Sequence, residues 1–408
     1  MTERDWATHV VGTLQAAGHA ALFAGGCVRD ELLGLAPADY DVATGARPEQ
    51  VTALFRRAHT FGASFGVVEV LGPRGPDGEW LKVQVATFRS DGTYTDGRRP
   101  DAVTFSTPEA DAQRRDFTIN GLFLDPSTGT VTDHVGGRAD LAAKVLRAIG
   151  DPSARFAEDK LRVVRAARMA ARFGLAIDPA TAAAVRATAA AVKGVSAERV
   201  AEELRKMLTH PTRAVGLLLV HDLDLMPILL PEVAATTASR VGVLAALPAR
   251  TGFEPALAAL FPPGVPTGPA AKRLKLSNEE RDRLKFLTDH RATVVDGLVP
   301  PRSVLVPLLY HAGAADLLTV ARAEAVGTGA DPAGVGRCEA LLRDTPPHLL
   351  NPPPLVTGTD LEAAGHEPGP AFKPALAAAR AGQLDGRIAT PAEALALAET
   401  MLPRTGRR

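Results

Sequence analysis

Residues Ala24 to Thr44 read AGGCVRDELLGLAPADYDVAT, and their order governs how the rest of the chain is read. Gly25 and Gly26 open the stretch. Lacking Cβ atoms, they let backbone approach a ligand where another residue would collide. Arg29 follows, its guanidinium a fork of donors that matches phosphate oxygens. Helix-like sequence from Asp30 to Leu35 leads to Asp39-Tyr40-Asp41. A strand over Tyr40 to Ala43 turns Asp39 and Asp41 to one face, because side chains alternate along a strand. Two carboxylates side by side repel, so such a pair calls for a cation. Hard oxygens that leave room for phosphate oxygens suit Mg²⁺. Ions held in this way clamp the attacking and leaving oxygens of an in-line phosphoryl transfer.

The whole chain sets the bounds. At 408 residues it has room for roughly two to four domains. Its 46 basic and 46 acidic residues cancel, so any nucleic-acid footprint must be local. Aromatic residues make up 5%, too few for an array of base-stacking platforms. Cys27 and Cys338 are the only cysteines, which excludes a disulfide framework and fits a reducing cytoplasm. Cys27, between Gly26 and Val28, reads as a small buried side chain rather than a nucleophile. The N-terminus MTERDWATHVVGTLQ reads as an amphipathic helix, not a signal peptide, and no apolar run is long enough to span a membrane.

Along the chain, residues 1–18 predict a helix and Ala20 to Phe23 a strand. Pro48 to Ala58 predicts a helix opened by proline. Phe65 to Leu71 and Leu81 to Phe88 read as paired strands about the glycine- and proline-dense turn GPRGPDGE. The N-terminal region is therefore a small mixed sheet with helices, and the alanine-rich sequence beyond residue 140 is mostly helix. Arg89 to Pro100 is a polar loop with three arginines. Arg155 to Gly174, RFAEDKLRVVRAARMAARFG, predicts one helix stopped by Gly174. On it Asp159 and Arg162 are neighbours at i,i+3, and Arg165 and Arg168 continue the spacing. Ser196 caps a further helix, and Ser277 with Glu280 forms a capping box. Lys272, Arg273, Lys275, Arg281, Arg283 and Lys285 cluster there, either a solvated face or an RNA-backbone surface. His221-Asp222 lacks the companion ligands of a metal phosphohydrolase. NPPPL at 351–355 marks a linker to a C-terminal helical segment.

Three motifs combine: Gly-Gly-x-Val-Arg-Asp before Asp-x-Asp, the block QRRDFTING at 113–121, and Glu158-Asp159-Lys160-Leu161-Arg162. Together they resemble the nucleotidyltransferase superfamily, in its class II branch of tRNA CCA-adding enzymes and bacterial poly(A) polymerases. The resemblance implies an α+β fold: a small mixed-sheet nucleotidyltransferase head over 1–140, then an all-helical neck over 141–205, body over 206–290 and tail over 291–408. It implies catalytic, metal-binding Asp39 and Asp41. It implies that Gly25, Gly26, Arg29 and Arg115 hold the triphosphate, that Asp116 helps hold the nucleotide, and that Asp159, Arg162, Arg165 and Arg168 select it. The polar loop after Arg89 becomes a loop over the primer end, and body and tail bind tRNA. One departure stands out: Gln84 occupies a position where relatives often carry glutamate, and Glu69 on the adjacent strand is the candidate substitute.

Three functions follow. The first is addition of CCA to the tRNA 3′ end from CTP and ATP, with Mg²⁺, in the cytoplasm. The second is an A-adding, CC-adding or poly(A) polymerase of the same family. The third is a tRNA-binding protein with a weakened catalytic site, motivated by Gln84.

Overall fold

The computed structural model describes residues 1–61, 66–76, 78–92, 103–295 and 300–403. The chain forms two compact units, Met1–Leu204 with Leu219–Leu229, and Arg205–Leu218 with Leu230–Arg408.

The first unit opens with α1 (Glu3–Ala16), capped reciprocally by Thr2 and Asp5. Its Ala7, Val10, Val11 and Leu14 recur at helical spacing and are buried as one stripe. The sheet that α1 covers has seven strands in the order β3-β4-β5-β2-β1-β8-β9. In sequence these are β1 (Ala21–Ala24), β2 (Asp41–Thr44), β3 (Ala58–Phe61), β4 (Val67–Arg74), β5 (Trp80–Thr87), β8 (Leu122–Leu124) and β9 (Val131–Asp133). A small hairpin, β6 (Arg89–Asp91) with β7 (Val103–Phe105), stands apart from it. β2 runs parallel to β5 and the other pairs are antiparallel, so the sheet is mixed as expected. Alternation sends Val42, Val68, Val70, Val83 and Val85 into the core and leaves Glu69 and Gln84 on the other face. Helices α2 (Gly26–Leu32), α3 (Pro48–Leu54), α4 (Pro108–Gln113) and α5 (Gly137–Ala142) connect the strands.

Several boundaries differ from the sequence reading. The helix after Pro48 stops at Leu54, because Ala58–Phe61 pairs with β4 as an edge strand. The strand β4 runs on to Arg74, taking the first three residues of the expected turn. Residues 93–100 of the polar arginine loop lie outside the described residues.

Beyond the head, α6 (Pro152–Glu158), α7 (Arg162–Phe173), α8 (Pro179–Thr188) and α9 (Ala197–Leu208) follow, with a short parallel pair β10 (Val145–Leu146) and β11 (Ala176–Ile177). The single helix expected over Arg155 to Gly174 is in fact two. Asp159 adopts φ −138° and ψ 104°, outside helical space. Its carboxylate accepts the Leu161 N–H at 3.1 Å and an Arg199 N–H at 2.7 Å. A side chain that serves the backbone two residues on competes with the helical ladder, and a tertiary partner completes the break. Gly174 does stop α7, in the left-handed conformation at φ 62°.

The second unit is helical throughout its described residues. Helices Thr237–Ala246 and Ala314–Thr328 cross with backbones in contact: a Cβ on Gly242 would lie 2.6 Å from the Gly327 carbonyl oxygen. Three buried arginines satisfy backbone carbonyls at helix ends and in the loop that follows one. Arg213 donates to Leu208, Pro248 and Ala249, Arg240 to Ala259, and Arg291 to Ala258 and Phe261. Glu324 bonds Arg240 and lies 3.6 Å from Arg291, whose guanidinium burial pushes down to about 10. At least three of the six cations in the basic cluster are paired with acids: Arg273 with Glu232, Arg283 with Asp316 and Lys285 with Asp289. The expected capping box of Ser277 and Glu280 is present. Among the described residues, no single helix is long and apolar enough to cross a membrane.

Candidate active site

Asp41 is the first residue of β2, and Asp39 lies in the loop before it, so the ladder expected from Tyr40 begins one residue later. Tyr40 turns inward. Its ring packs on Phe23 and its hydroxyl donates to Glu31 at 2.9 Å, which leaves both aspartates at the surface. Asp41 is accessible to solvent yet flanked by protein. That partial burial, with the charge of Asp39, pushes its carboxyl up to about 6 against the opposing pull of Arg115. The pair therefore carries repulsion that a bound cation would relieve. Among the described residues no group of three or more His, Cys, Asp and Glu could hold a metal, so the candidate set is these two carboxylates. Gln84 is the register partner of Asp41 on β5, and Glu69 the partner of Gln84 on β4. Glu69 thus stands two strands from Asp41, and the charges acting on Asp41 are those of Asp39 and Arg115.

The Gly25-Gly26 turn joins β1 to α2. Gly25 has φ 76°, and a Cβ there would meet Arg115 Nη1 at 2.6 Å. The glycine is needed for its backbone angle and for the arginine alike. Arg115 holds Asp111 through Nε and Nη2 at 3.2 and 2.9 Å, and the Asn120 carbonyl through Nη1 at 3.1 Å. Burial opposes ionisation of Asp111, but Arg115 and Arg114 hold its carboxyl below the usual range. Arg29 is packed away: it grips Asp30 through Nε and Nη2, donates to the Asn120 side chain, and lies 4.2 Å from the Phe173 ring centroid at the end of α7. The three guanidinium nitrogens of Arg29 are spent within the protein.

Asp116 is enclosed. Its Oδ1 accepts the Phe117 N–H and the Asn120 amide, and its Oδ2 lies 2.8 Å from Arg165 Nη2 without hydrogen-bond alignment. Burial works against the charge, yet Arg165 and those two bonds hold the carboxyl down to about 2. Arg162 holds Glu158, the Arg155 carbonyl and the Arg114 carbonyl. The expected side-by-side pairing of Asp159 with Arg162 on one helix face does not occur, because the helix breaks between them. Instead Asp159 meets Arg199 and Arg168 meets Glu203, both on α9. A recess of about 500 Å³ opens beside Arg162, lined by Thr107, Gln113, Arg114, Arg155 and Glu158.

Residues 21–147 match the model of the poly(A) polymerase head domain, and residues 174–236 that of the probable RNA and SrmB-binding site of polymerase A. The CCA-adding enzyme of Levilactobacillus brevis is 42% identical over 216 residues, 53% of each chain. That of Geobacillus stearothermophilus is 38% identical over 217 residues, 53% of this chain and 52% of the other. The matched region spans about half the length of these curated relatives. The crystal structure of the Bacillus stearothermophilus CCA-adding enzyme in complex with CTP overlays with a TM-score of 0.78 at 29% identity, covering 98% of both chains. The Thermotoga maritima CCA-adding enzyme complexed with tRNA shares the fold, with a TM-score of 0.66 at 18% identity over 98% of this chain and 95% of the other.

The chain shares the fold of the CCA-adding enzymes, and its residues 21–147 and 174–236 resemble the poly(A) polymerase head domain and its RNA-binding region.

CCA-adding enzymes generally use a divalent metal. Four residues that brace the candidate site escaped the sequence reading. Asp111 had a usable signal, since it lies three and four residues before Arg114 and Arg115 on or beside α4. Asn120 sits inside the quoted QRRDFTING block yet ties Arg29, Arg115 and Asp116 together only in space. Arg199 and Glu203 carried no signal, because their partners are 40 and 35 residues away.

Proposed function

We propose that this protein is a template-independent RNA nucleotidyltransferase that adds CCA to the 3′ end of tRNA from CTP and ATP, releasing pyrophosphate. The observation that carries the reading is the overlay on the CTP-bound CCA-adding enzyme along 98% of both chains. The accessible pair Asp39 and Asp41 beside Arg115 and the Gly25-Gly26 turn supports it. We assign residues 1–140 to a catalytic head, 141–205 to a nucleotide-selecting neck, and 206–290 and 291–408 to an RNA-binding body and tail. The work is cytoplasmic, consistent with two free, buried cysteines.

Asp39 and Asp41 are the groups that would hold Mg²⁺; when bound, the ion neutralises phosphate charge as it develops in the transition state. The RNA 3′-hydroxyl attacks the α-phosphorus, the new P–O bond forms, and the bond to the β-phosphate oxygen breaks in line. Gly25, Gly26 and Arg115 face the triphosphate, with Arg29 bracing them from behind. Asp116 fixes Arg165, and Arg168 completes the basic side of the neck. Asp159 and Arg162 read the base. Cytosine and adenine each present an amino donor beside a ring-nitrogen acceptor, whereas uracil and guanine present the reverse. An acceptor and a donor from the protein complement the first pair and leave buried polar groups unpaired against the second.

Labelled nucleotides offered to tRNA ending at the discriminator base, at CC and at CCA test the assignment. A CCA-adding enzyme extends the first two and leaves the third alone. Extension of all three with ATP indicates a poly(A) polymerase, and extension of only one of the first two a partial enzyme. Retained tRNA binding with no incorporation in Mg²⁺ indicates the weakened binding protein.

A further inference from the structure

α9 presents a cation and an anion one turn apart toward the groups assigned to the nucleotide. Arg199 Nη2 donates to Asp159 Oδ2 at 2.7 Å, and Glu203 accepts from Arg168 while only 4% exposed. Arg165, whose charge is favoured first by Asp116, also feels Glu203 and Asp159. The acid on the α6–α7 side meets the cation of α9, and the cations of α7 meet its acid.

Asp159 has most to gain from this. It stands in extended conformation between two helices, so no ladder on either side fixes its direction. Its two oxygens are instead tied from two sides, Oδ1 by the Leu161 N–H at 3.1 Å and Oδ2 by Arg199. Those two bonds set the plane of the carboxylate and leave its remaining lone pairs aimed one way. Direction matters here because an acceptor rejects a wrong base only while it cannot turn. A carboxylate released to rotate can reach the ring N–H of uracil or guanine and accept from that instead. The second bond is also the one that a helix face does not supply.

We propose that Arg199 is a positioning residue for base selection: it aims the Asp159 carboxylate and so sets the preference for cytosine and adenine. This rests on the reading that Asp159 accepts from the base. Arg199 itself touches neither nucleotide nor metal, and its effect reaches the reaction only through Asp159.

The test is kcat/KM for CTP, ATP, UTP and GTP on tRNA acceptors, in the full-length protein, Arg199→Ala, Arg199→Lys and Asp159→Ala. Melting curves establish that each variant is folded. Arg199→Ala should lower the CTP-to-UTP ratio by about tenfold or more, through gained UTP use rather than through lost CTP turnover. Arg199→Lys, which keeps a charged donor, should recover most of the ratio. If Asp159→Ala loses discrimination while Arg199→Ala keeps the wild-type ratio with all four rates lowered alike, Arg199 is structural and the proposal is overturned. If Asp159→Ala also keeps the wild-type ratio, the assignment of base reading to Asp159 is wrong and the proposal goes with it. Should Arg199→Ala not fold, the same ratios are read in Arg199→Gln, where a lowered CTP-to-UTP ratio supports the proposal and an unchanged one overturns it.

Discussion

Asp116 and Arg165 meet at 2.8 Å and join the head's FTIN turn to α7. The carboxylate is enclosed, while the arginine keeps part of its side chain in solvent. Removing the aspartate therefore strands a cation that is partly desolvated rather than wholly buried. Asp116→Ala should destabilise the first unit by about 2–3 kcal/mol, below the usual cost of breaking a fully buried pair because the arginine is partly solvated. The sign with pH follows from the depressed carboxyl. Its stabilisation is complete above the ordinary carboxylate value of 3.8 and is lost as pH falls toward about 2. Chemical denaturation of both proteins at pH 7 and pH 3 measures this, and equal stability at pH 7 would show the pair to be inert.

Asp41→Asn should keep tRNA binding but lose more than ~10³ in turnover, because its charge is needed as charge develops at the phosphorus. Single-turnover incorporation with saturating Mg²⁺ measures the loss. Near wild-type turnover in the purified variant removes Asp41 from catalysis.

Asp41 titrates in the opposite sense to Asp116. Its folded carboxyl, raised to about 6, binds a proton that the unfolded chain releases near 3.8. The protonated form therefore favours the fold at low pH, and that advantage disappears as pH rises through 6. Without metal, Asp41→Asn should raise Tm at pH 7.5 and change it little at pH 4. Mg²⁺ should raise the wild-type Tm more at pH 7.5 than at pH 5, since a cation competes with the proton for this pair. Calorimetric scans at the three pH values measure both, and a Mg²⁺ shift independent of pH argues against this binding site.

In the second unit, Gly327→Ala would set a methyl group against the Val243 backbone, where the helices Thr237–Ala246 and Ala314–Thr328 touch. Backbone cannot yield as a flexible side chain does, so the expected loss is about 2–3 kcal/mol, at the upper part of the overpacking range. Gly336→Ala, in a helix with open space at its Cβ position, is the control and should be neutral or slightly stabilising. Denaturant midpoints of the two variants decide it.

The sequence by itself determined the mixed-sheet head, the strand pairing of β4 with β5, and the adjacency of Asp39 and Asp41. These rest on local signals: alternation of valines, glycines where a Cβ has no room, and motif order. Local signals work when the partner of a residue lies within one strand or one turn of helix. Only the tertiary structure decided the break at Asp159, the enclosure of Arg29, and the arrival of Arg199 and Glu203 from α9. RFAEDKLRVVRAARMAARFG has helical propensity throughout, and propensity is worth only tenths of a kcal/mol per residue. A charged hydrogen bond to a side chain 40 residues distant outweighs that preference, and the distance leaves no periodic trace in the sequence.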